Sequence, residues 1–315
     1  MRAALIHRNG PPDVLEIGEV PLPKAGDREV LVRIHATSVN PIDCAVRRGG
    51  LRRFAGVPFP IVPGVDLSGV IEECGENVSP FRKGDEIFAF IPLVRGAYAE
   101  FATCHLSWIA RKPAGLSHED AAVLPCAGMT ALQGLRDKAI LKQGRSVLIV
   151  GASGGVGTMA VQIACAMGIE VTGVCSTANV ELVRSLGASH VIDYKKEDPL
   201  AIGRRFDAVF DCVGQRTFWS YRKVLKRSGR HVGISCSREH ILHSMLSWIT
   251  PWGKSFQFHV KARGKDLDQL AALLKNGKIK PLIRHRYSLD EIAHAHLQCE
   301  TGRTAGKIAV TMSRP

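Results

Sequence analysis

The chain has 315 residues, 45% of them hydrophobic, a mean hydropathy of +0.03 and a formal net charge of +13. No apolar run reaches the roughly 18 residues of a membrane span, and the N-terminal segment lacks the apolar core of a signal peptide, so a cytoplasmic protein is expected. The nine cysteines stand singly, without a C-x-x-C pair, which argues against a disulfide framework and indicates reduced thiols.

Residues 1–120 are predicted to form an antiparallel, strand-rich unit. Apolar runs separated by proline and glycine predict strands at 28–39, 65–74 and 85–91. The segment 119–135 then has the pattern of two helices that meet at Pro125 and Gly128.

Strands and helices alternate through the next part of the chain. Short apolar strands are predicted at 146–151, 170–176, 190–193, 206–212 and 230–235. This alternation predicts an α/β domain with a doubly wound parallel sheet. Two helices follow, at 266–276 and at 288–302, and Ser288 with Glu291 forms a capping box at the start of the second. A closing strand at 306–312 is predicted to return to the sheet of the first unit.

A glycine-rich turn follows the first strand of this alternation. The strand SVLIV at 146–150 runs into GASGGVG at 151–157, an apolar helix follows, and GIEVTGVC at 168–175 supplies the next strand. Such a turn presents free N–H groups and the positive end of a helix dipole to a phosphate. The complete βαβ unit favours NAD or NADP binding over an ordinary tight turn. The residues predicted to contact the pyrophosphate are Ser153, Gly154, Gly155, Val156 and Gly157.

Several motifs together identify a family likeness. They are TSVNPIDCAVRRG (37–49), PGVDLSGVI (63–71), FRKGDEIF (81–88), GAYAEF (96–101), the glycine-rich turn and GRTAGKIAV (302–310). In this order they resemble the medium-chain dehydrogenase/reductase superfamily, in its zinc-independent quinone oxidoreductase branch, nearly end to end. The resemblance implies a GroES-like catalytic domain at 1–120 and 281–315, a Rossmann domain at 121–280, a cofactor-lined cleft between them and a homodimer.

No bound zinc is predicted. Zinc-dependent members of the superfamily ligate the metal through a cysteine and a Gly-His-Glu turn, whereas the matching positions here are Asn40 and Gly64-Val65-Asp66. The valine has no ligand atom, and an amide replaces a thiolate. A structural zinc in this superfamily needs four closely spaced cysteines around 90–110, and only Cys104 is there. His294 and His296 are expected to face different directions on a surface helix.

The absence of a metal and of an evident Tyr–Lys pair restricts the chemistry. Hydride addition to a quinone or to the β-carbon of an enone is less demanding than reduction of an isolated carbonyl, because the charge spreads onto a distant oxygen. The resemblance likewise implies reduction of quinones and α,β-unsaturated carbonyls with NADPH. Asn40 is predicted either to donate to the developing enolate or to cap the NPID turn, and Asp43 to cap the helix at 42–48 or to take part in catalysis. Relatives often carry a lysine where this chain has Ala45.

The second strand of the βαβ unit ends at Ser176 and Thr177 without the acidic residue that binds the ribose of NAD. These hydroxyls, with Tyr194 at a matching family position, are predicted to hold the 2′-phosphate of NADPH. NADH stays possible, because relatives commonly have a basic residue at the position of Ala178. The groups that the resemblance places at the nicotinamide half are Thr130, Cys212, Val213, Gly214, Gly233 and Ser235, and Lys307 is also predicted to bind the cofactor. Simple strand-end turns are the alternative for 211–214 and 233–235.

The segment 239–258 has an apolar helical face. The residues of that face are Ile241, Leu242, Met245, Leu246 and Ile249. Core packing or a dimer interface is the favoured interpretation, and a membrane-surface role the less favoured one. Phe54, Phe256 and Phe258 are predicted to line a hydrophobic substrate pocket.

Three functions stay open at this point. The leading hypothesis is an NADPH-dependent quinone or enone reductase, whose partner is a small hydrophobic conjugated carbonyl or quinone, without stable membrane insertion. A zinc-type alcohol dehydrogenase is opposed by Asn40 and Val65. A non-enzymatic, nucleic-acid-binding relative is opposed by scattered arginines and the lack of an aromatic stacking motif, so no nucleic-acid partner is expected.

Overall fold

The computed structural model describes residues 1–50, 58–93, 95–234, 237–249 and 253–312. By their contacts these residues separate into two units. The first, here called the β-rich unit, comprises Met1–Cys126, Ala262–Lys275 and the segment from Pro281 onward. The second, the Rossmann unit, comprises Ala127–Lys261 and Asn276–Lys280.

The described strands are β1 (Arg2–Ile6), β2 (Leu15–Glu19), β3 (Glu29–Val39), β4 (Asp66–Cys74), β5 (Glu86–Phe90), β6 (Phe101–His105), β7 (Ile109–Arg111), β8 (Ser146–Val150), β9 (Glu170–Cys175), β10 (His190–Asp193), β11 (Phe206–Asp211), β12 (Leu225–Gly233), β13 (Lys254–Gln257), β14 (Ile283–Ser288) and β15 (Lys307–Thr311). The described α-helices are α1 (Pro41–Arg47), α2 (His118–Ala122), α3 (Pro125–Gln133), α4 (Gly155–Ala166), α5 (Val180–Ser185), α6 (Phe218–Tyr221), α7 (Arg238–Ser247), α8 (Gly264–Lys275) and α9 (Ile292–Glu300).

The Rossmann unit is built on a parallel sheet in the order β10-β9-β8-β11-β12-β13. The predicted doubly wound parallel sheet is therefore confirmed. Strands covered on both faces are near-continuous apolar runs, which is why β8, β9 and β10 begin where the sequence predicts. β12 is different: it begins at Leu225 rather than at 230, because its register against β11 is irregular and accommodates a polar stretch.

The β-rich unit contains a mainly antiparallel sheet in the order β14-β15-β3-β4-β5-β7, with β6 also paired to β3. The closing strand β15 returns to this sheet, as predicted, and places Ile308 opposite Val39. Asn40 follows Val39 and Lys307 precedes Ile308, so the antiparallel register puts these two residues side by side although 267 positions separate them. The register of β15 thus assembles a polar site from the two ends of the chain.

Helix α8 belongs to the β-rich unit, whereas the sequence-based boundaries assign 266–276 to the Rossmann domain. The helix packs against β7, and its buried apolar side chains are Leu267 and Leu270. Gly264 permits the contact, because a Cβ there would lie 2.5 Å from the Ile109 carbonyl oxygen. Since the apolar face of α8 is covered by β7, sequence order alone does not reveal its unit.

A fully buried arginine joins α1 to α9. The Arg47 guanidinium donates to the Glu300 carboxylate, the Gly10 carbonyl oxygen and His296 Nδ1, the last at 3.3 Å. The expectation that His296 lies on a helix surface is wrong, because its side chain is fully buried and also contacts the Tyr98 hydroxyl at 3.2 Å. Burial lowers the pKa of His296 to about 3, so this ring is neutral and accepts from Arg47.

Two buried glutamines hold the chain where it leaves the Rossmann unit. Gln133 donates to the main-chain carbonyl of Lys261 and accepts from its N–H, at 2.8 and 3.0 Å. Gln162 bonds the N–H and carbonyl of Lys280 in the same way, at 2.9 and 3.1 Å. We call these contacts the glutamine clamps. Each one stands at the last residue before the chain passes into the β-rich unit.

Helix α7 carries the predicted apolar face, but the face is exposed in the described chain rather than packed in a core. Met245 is 66% exposed, and Ile249, which lies two residues beyond the end of the helix, is 81% exposed. Among the described residues, none of the helices combines the length and the apolar character needed to cross a bilayer.

Candidate active site

The glycine-rich turn forms a helix N-terminus with unpaired donors. β8 ends at Val150, Gly151 takes a φ of +77°, and α4 begins at Gly155 with Gly154 as its N-cap. The N–H groups of Gly155, Val156 and Gly157 lie in the first helical turn, where no intrahelical acceptor exists. With Ser153 beside them, these groups are arranged as the predicted pyrophosphate site requires.

The two key glycines of this turn have different roles. A Cβ at Gly157 would overlap the Gly151 carbonyl oxygen and approach the Ala152 carbonyl carbon to 2.8 Å, so this glycine is required for packing α4 against the turn that follows β8. A Cβ at Gly154 would meet only the Gly151 oxygen, at 3.5 Å, and the φ of −76° suits any residue. Neither packing nor conformation explains Gly154. The space that a side chain would fill there fits a bound phosphate, and the residues present therefore fit a dinucleotide.

A negative charge lies beside the end of β9, although β9 itself ends without an acidic residue. The parallel register places Asp193, at the end of β10, beside Cys175 and the Ser176–Thr177 turn. A hydrogen bond from Thr177 lowers the pKa of Asp193, so this carboxylate is ionised at neutral pH. Tyr194 is exposed, and the adjacent Lys195 and Lys196 supply positive charge that the sequence reasoning missed. Their position directly after Tyr194 is the signal that could have revealed them.

A second turn lies against the glycine-rich turn. Asp211, at the end of β11, accepts from the N–H groups of Val213 and Gly214, both at 2.9 Å, and so shapes the turn Cys212–Gly214. A Cβ on Gly151 would approach the Val213 side chain to 2.6 Å, which shows that the two turns are adjacent. Gly233 ends the neighbouring strand β12.

The remaining predicted residues of the Rossmann unit are dispersed. Thr130 is buried on α3, Phe258 is buried beside Gly134, and Phe256 packs under Arg230 and against Trp248. Ser235 and Phe54 lie outside the described residues.

A buried polar cluster occupies the β-rich unit. Its members are Ser38, Asn40, Asp43, Asp66 and Lys307. Asp66 Oδ2 accepts from Ser38 Oγ at 2.6 Å and from Asn40 Nδ2 at 2.9 Å, and lies 3.8 Å from Lys307 Nζ. Its other oxygen accepts from the N–H of Cys126 at 2.7 Å. The sequence shows Asp66 only within the segment where zinc-dependent relatives have a Gly-His-Glu turn, and it does not reveal Asp66 as the centre of this cluster.

The amide of Asn40 is fixed in one orientation. Nδ2 donates to Asp66 and, at 3.2 Å, to Asp43, while Oδ1 accepts from the Lys307 ammonium. Rotation by 180° would turn the NH2 group toward the ammonium and the oxygen toward two carboxylates, which is electrostatically unfavourable. Because the two carboxylates accept from Nδ2, Asn40 has no free donor for a substrate oxygen. Asp43 forms the predicted cap, accepting from the Asn40 N–H at 2.8 Å.

Burial controls the titration of the two acids. Burial, with the nearby Asp66 charge, raises the pKa of Asp43 to about 7, against the opposing effects of Asn40 and Lys307. Burial also raises the pKa of Asp66, and the Lys307 ammonium and the hydrogen bonds from Ser38 and Asn40 oppose that shift. The cluster therefore gains or loses a proton near neutral pH, at Asp43.

Asp43→Asn is expected to change how stability depends on pH. The folded-state pKa of Asp43 is raised, so its stabilising contribution is complete below pH about 4 and is lost as pH rises through about 7. The wild type should therefore lose about 1.4 kcal/mol per pH unit relative to the variant within this window, the slope for one proton. Urea unfolding from pH 4 to 8 measures the difference. Parallel curves for the two proteins would contradict the assignment.

Comparisons with known proteins agree with this architecture. Residues 26–114 match the family model described as alcohol dehydrogenase GroES-like domain, and residues 186–310 the one described as zinc-binding dehydrogenase. The chloroplast envelope quinone oxidoreductase homolog of Arabidopsis thaliana is 33% identical over 307 residues, covering 94% of this chain and 93% of that protein. The chloroplastic NADPH-dependent alkenal/one oxidoreductase of Arabidopsis thaliana is 32% identical, covering 98% and 79%. The solved quinone oxidoreductase of Coxiella burnetii superposes with a TM-score of 0.88 at 31% identity over 99% of both chains.

Proposed function

Given that this chain belongs to the medium-chain dehydrogenase/reductase superfamily, in its quinone oxidoreductase branch, we propose that it is an NADPH-dependent reductase of quinones or α,β-unsaturated carbonyl compounds. One observation carries the proposal beyond family membership. At the position of a zinc-ligating cysteine the chain holds an asparagine, bound by a buried ammonium and two carboxylates. Such a cluster stabilises charge on a conjugated oxygen without a metal.

The Rossmann unit supplies the proposed cofactor site. The N–H groups at the start of α4 bind the pyrophosphate, and Gly154 leaves the space that it needs. Ser176, Thr177 and Tyr194, with Lys195 and Lys196, hold the 2′-phosphate, and the Asp193 carboxylate nearby weakens the preference for NADPH over NADH. The turn 212–214, Thr130 and Gly233 orient the nicotinamide half. When bound, the reduced nicotinamide supplies the hydride.

The cluster does not fit a catalytic zinc, and we propose that the enzyme is metal-free. Val65 is fully buried without a ligand atom, and the Lys307 ammonium at Asn40 Oδ1 would repel a cation. Within the described part of the chain, no three His, Cys, Asp or Glu side chains are grouped as a metal site would require.

Two further properties belong to the proposal. The exposed apolar face of α7 supports a homodimer, because apolar patches of this kind usually mark interaction surfaces. The nine single cysteines support a reducing compartment, here the cytoplasm.

A matched pair of ketones tests the reaction. NADPH oxidation with cyclohexenone or benzoquinone is expected to exceed that with cyclohexanone by at least about 100-fold, because only a conjugated acceptor spreads the charge that hydride addition creates. Elemental analysis of the same preparation should find no stoichiometric zinc. Fast oxidation of simple alcohols, with zinc at one ion per chain and activity lost to a chelator, would instead identify an alcohol dehydrogenase.

A further inference from the structure

We infer that Lys307 is the catalytic residue that donates a hydrogen bond to the substrate carbonyl oxygen, and that Asn40 and Asp66 position it. The inference rests on the proposed function and names the group that stabilises the transition state. It replaces the expectation that Asn40 donates directly to the substrate. It also replaces the expectation that Lys307 binds the cofactor.

Lys307 and Asn40 differ in the hydrogen-bond donors that they leave available for a ligand. The described neighbours of Asn40 Nδ2 include two carboxylate oxygens, which accept from the amide group. Lys307 Nζ carries three N–H groups, and its partners among the described residues are one hydrogen-bond acceptor, Asn40 Oδ1, and one ion-pair partner, Asp66, at 3.8 Å. An N–H of Lys307 is thus left for a ligand, on a side chain only 8% exposed.

Asp66 offsets the desolvation cost of burying the Lys307 ammonium. A buried ammonium is unfavourable unless a counter-charge lies nearby, and Asp66, fully buried, provides one. Ser38 and the Cys126 N–H hold the Asp66 carboxylate in place. The position of Lys307 is therefore set before any substrate binds, which is the condition under which an electrostatic contact lowers a reaction barrier.

The charge that develops in the proposed reaction suits a donor such as Lys307. Hydride addition at the β-carbon of an enone shifts the C=C electron pair, so that negative charge develops on the carbonyl oxygen. A proton from water then reaches the α-carbon, and the substrate has gained one hydride and one proton. The free N–H of Lys307 is suited to the developing oxyanion, because the charge there exists only after hydride addition has begun.

Lys307→Met tests the inference, with Lys112→Met as the matched control. Lys112 also carries a buried ammonium in the β-rich unit, but it bonds the Leu116 carbonyl and Glu86. We expect Lys307→Met to lower kcat for cyclohexenone by about 100-fold, the usual scale for losing one oxyanion donor. The Kd for NADPH, from fluorescence titration, should stay within about twofold. Lys112→Met should retain the wild-type kcat.

Asn40→Ala tests the positioning role. Alone, it should lower kcat by about 10-fold, whereas in the Lys307→Met background it should cause no further loss, because its effect acts through the ammonium. Additive losses would show that Asn40 acts independently. If Lys307→Met does not fold because Asp66 is left unpaired, the Lys307→Met/Asp66→Asn double variant removes both charges and permits the same measurement.

The outcomes separate this inference from the proposed function. A wild type that reduces enones, together with a Lys307→Met variant of unchanged kcat, would overturn only the role of Lys307. A weakened Kd for NADPH with an unchanged kcat would make Lys307 a cofactor ligand and would also overturn the inference. A wild type inactive with every conjugated acceptor would refute the proposed function itself.

Discussion

Gly154→Asp is expected to weaken NADPH binding by at least about 100-fold while the protein stays folded, because a fixed like charge would face the pyrophosphate at a helix N-terminus. The backbone tolerates the change, since a Cβ at Gly154 meets only the Gly151 oxygen at 3.5 Å. Aspartate is also a favourable N-cap, so its carboxylate would accept from the same N–H groups that the phosphate uses. Fluorescence titration measures the affinity, and thermal unfolding measures the fold.

Gly154→Ser and Gly157→Ala are the informative controls. Serine caps the helix without a charge and should weaken binding much less than aspartate does. Gly157→Ala should unfold or destabilise the Rossmann unit with or without cofactor, because its Cβ would approach the Ala152 main chain to 2.8 Å. Both glycines are predicted from the sequence to contact the pyrophosphate, but only Gly154 can be substituted without disturbing the packing of α4. Wild-type affinity for NADPH in the Gly154→Asp variant would show that the phosphate site lies elsewhere.

Glu300→Ala is expected to destabilise the protein by about 3 kcal/mol, the scale for leaving one buried charge without its partner. Arg47 has no solvent exposure, and Glu300 is the carboxylate that neutralises its guanidinium. The remaining acceptors, the Gly10 carbonyl and the His296 ring, are neutral. Urea denaturation of both proteins gives the difference in the free energy of unfolding.

Arg48→Ala is the matched control for that measurement. Arg48 pairs with the same carboxylate but is 58% exposed, so its loss should cost less than about 1 kcal/mol. Equal losses from the two changes would mean that Glu300 acts on the surface rather than on the buried arginine.

Local sequence pattern predicts the elements of the proposed cofactor site. The strands β8 to β10 and the start of α4 depend on residues that are close in sequence. The capping box Ser288–Glu291 depends on such residues too. The cluster around Asp66 could not be predicted in this way. Its partner Lys307 stands at the other end of the chain, and the two come together only because β3 pairs with β15 on one side and with β4, which begins at Asp66, on the other.

Two further differences between the structure and the sequence-based predictions also arise from contacts between elements that are distant in sequence. Asp193 reaches the Ser176–Thr177 turn because the carboxyl ends of parallel strands meet at one edge of a sheet. His296 is buried because α9 packs on α1, a contact that the spacing of two histidines on one helix does not reveal. In each case the missing information is which elements are neighbours, not what the elements are.

The glutamine clamps make the Rossmann unit suitable for recombination. Gln133 and Gln162 recognise only the main-chain N–H and C=O of positions 261 and 280, which every residue except proline presents alike. Crossovers between relatives at the four boundaries between the units, two of which lie just after positions 261 and 280, would exchange the β-rich unit while leaving both anchors in the Rossmann unit. Chimeric genes joined at these four boundaries would thus keep the proposed cofactor module intact while sampling new sequences in the β-rich unit.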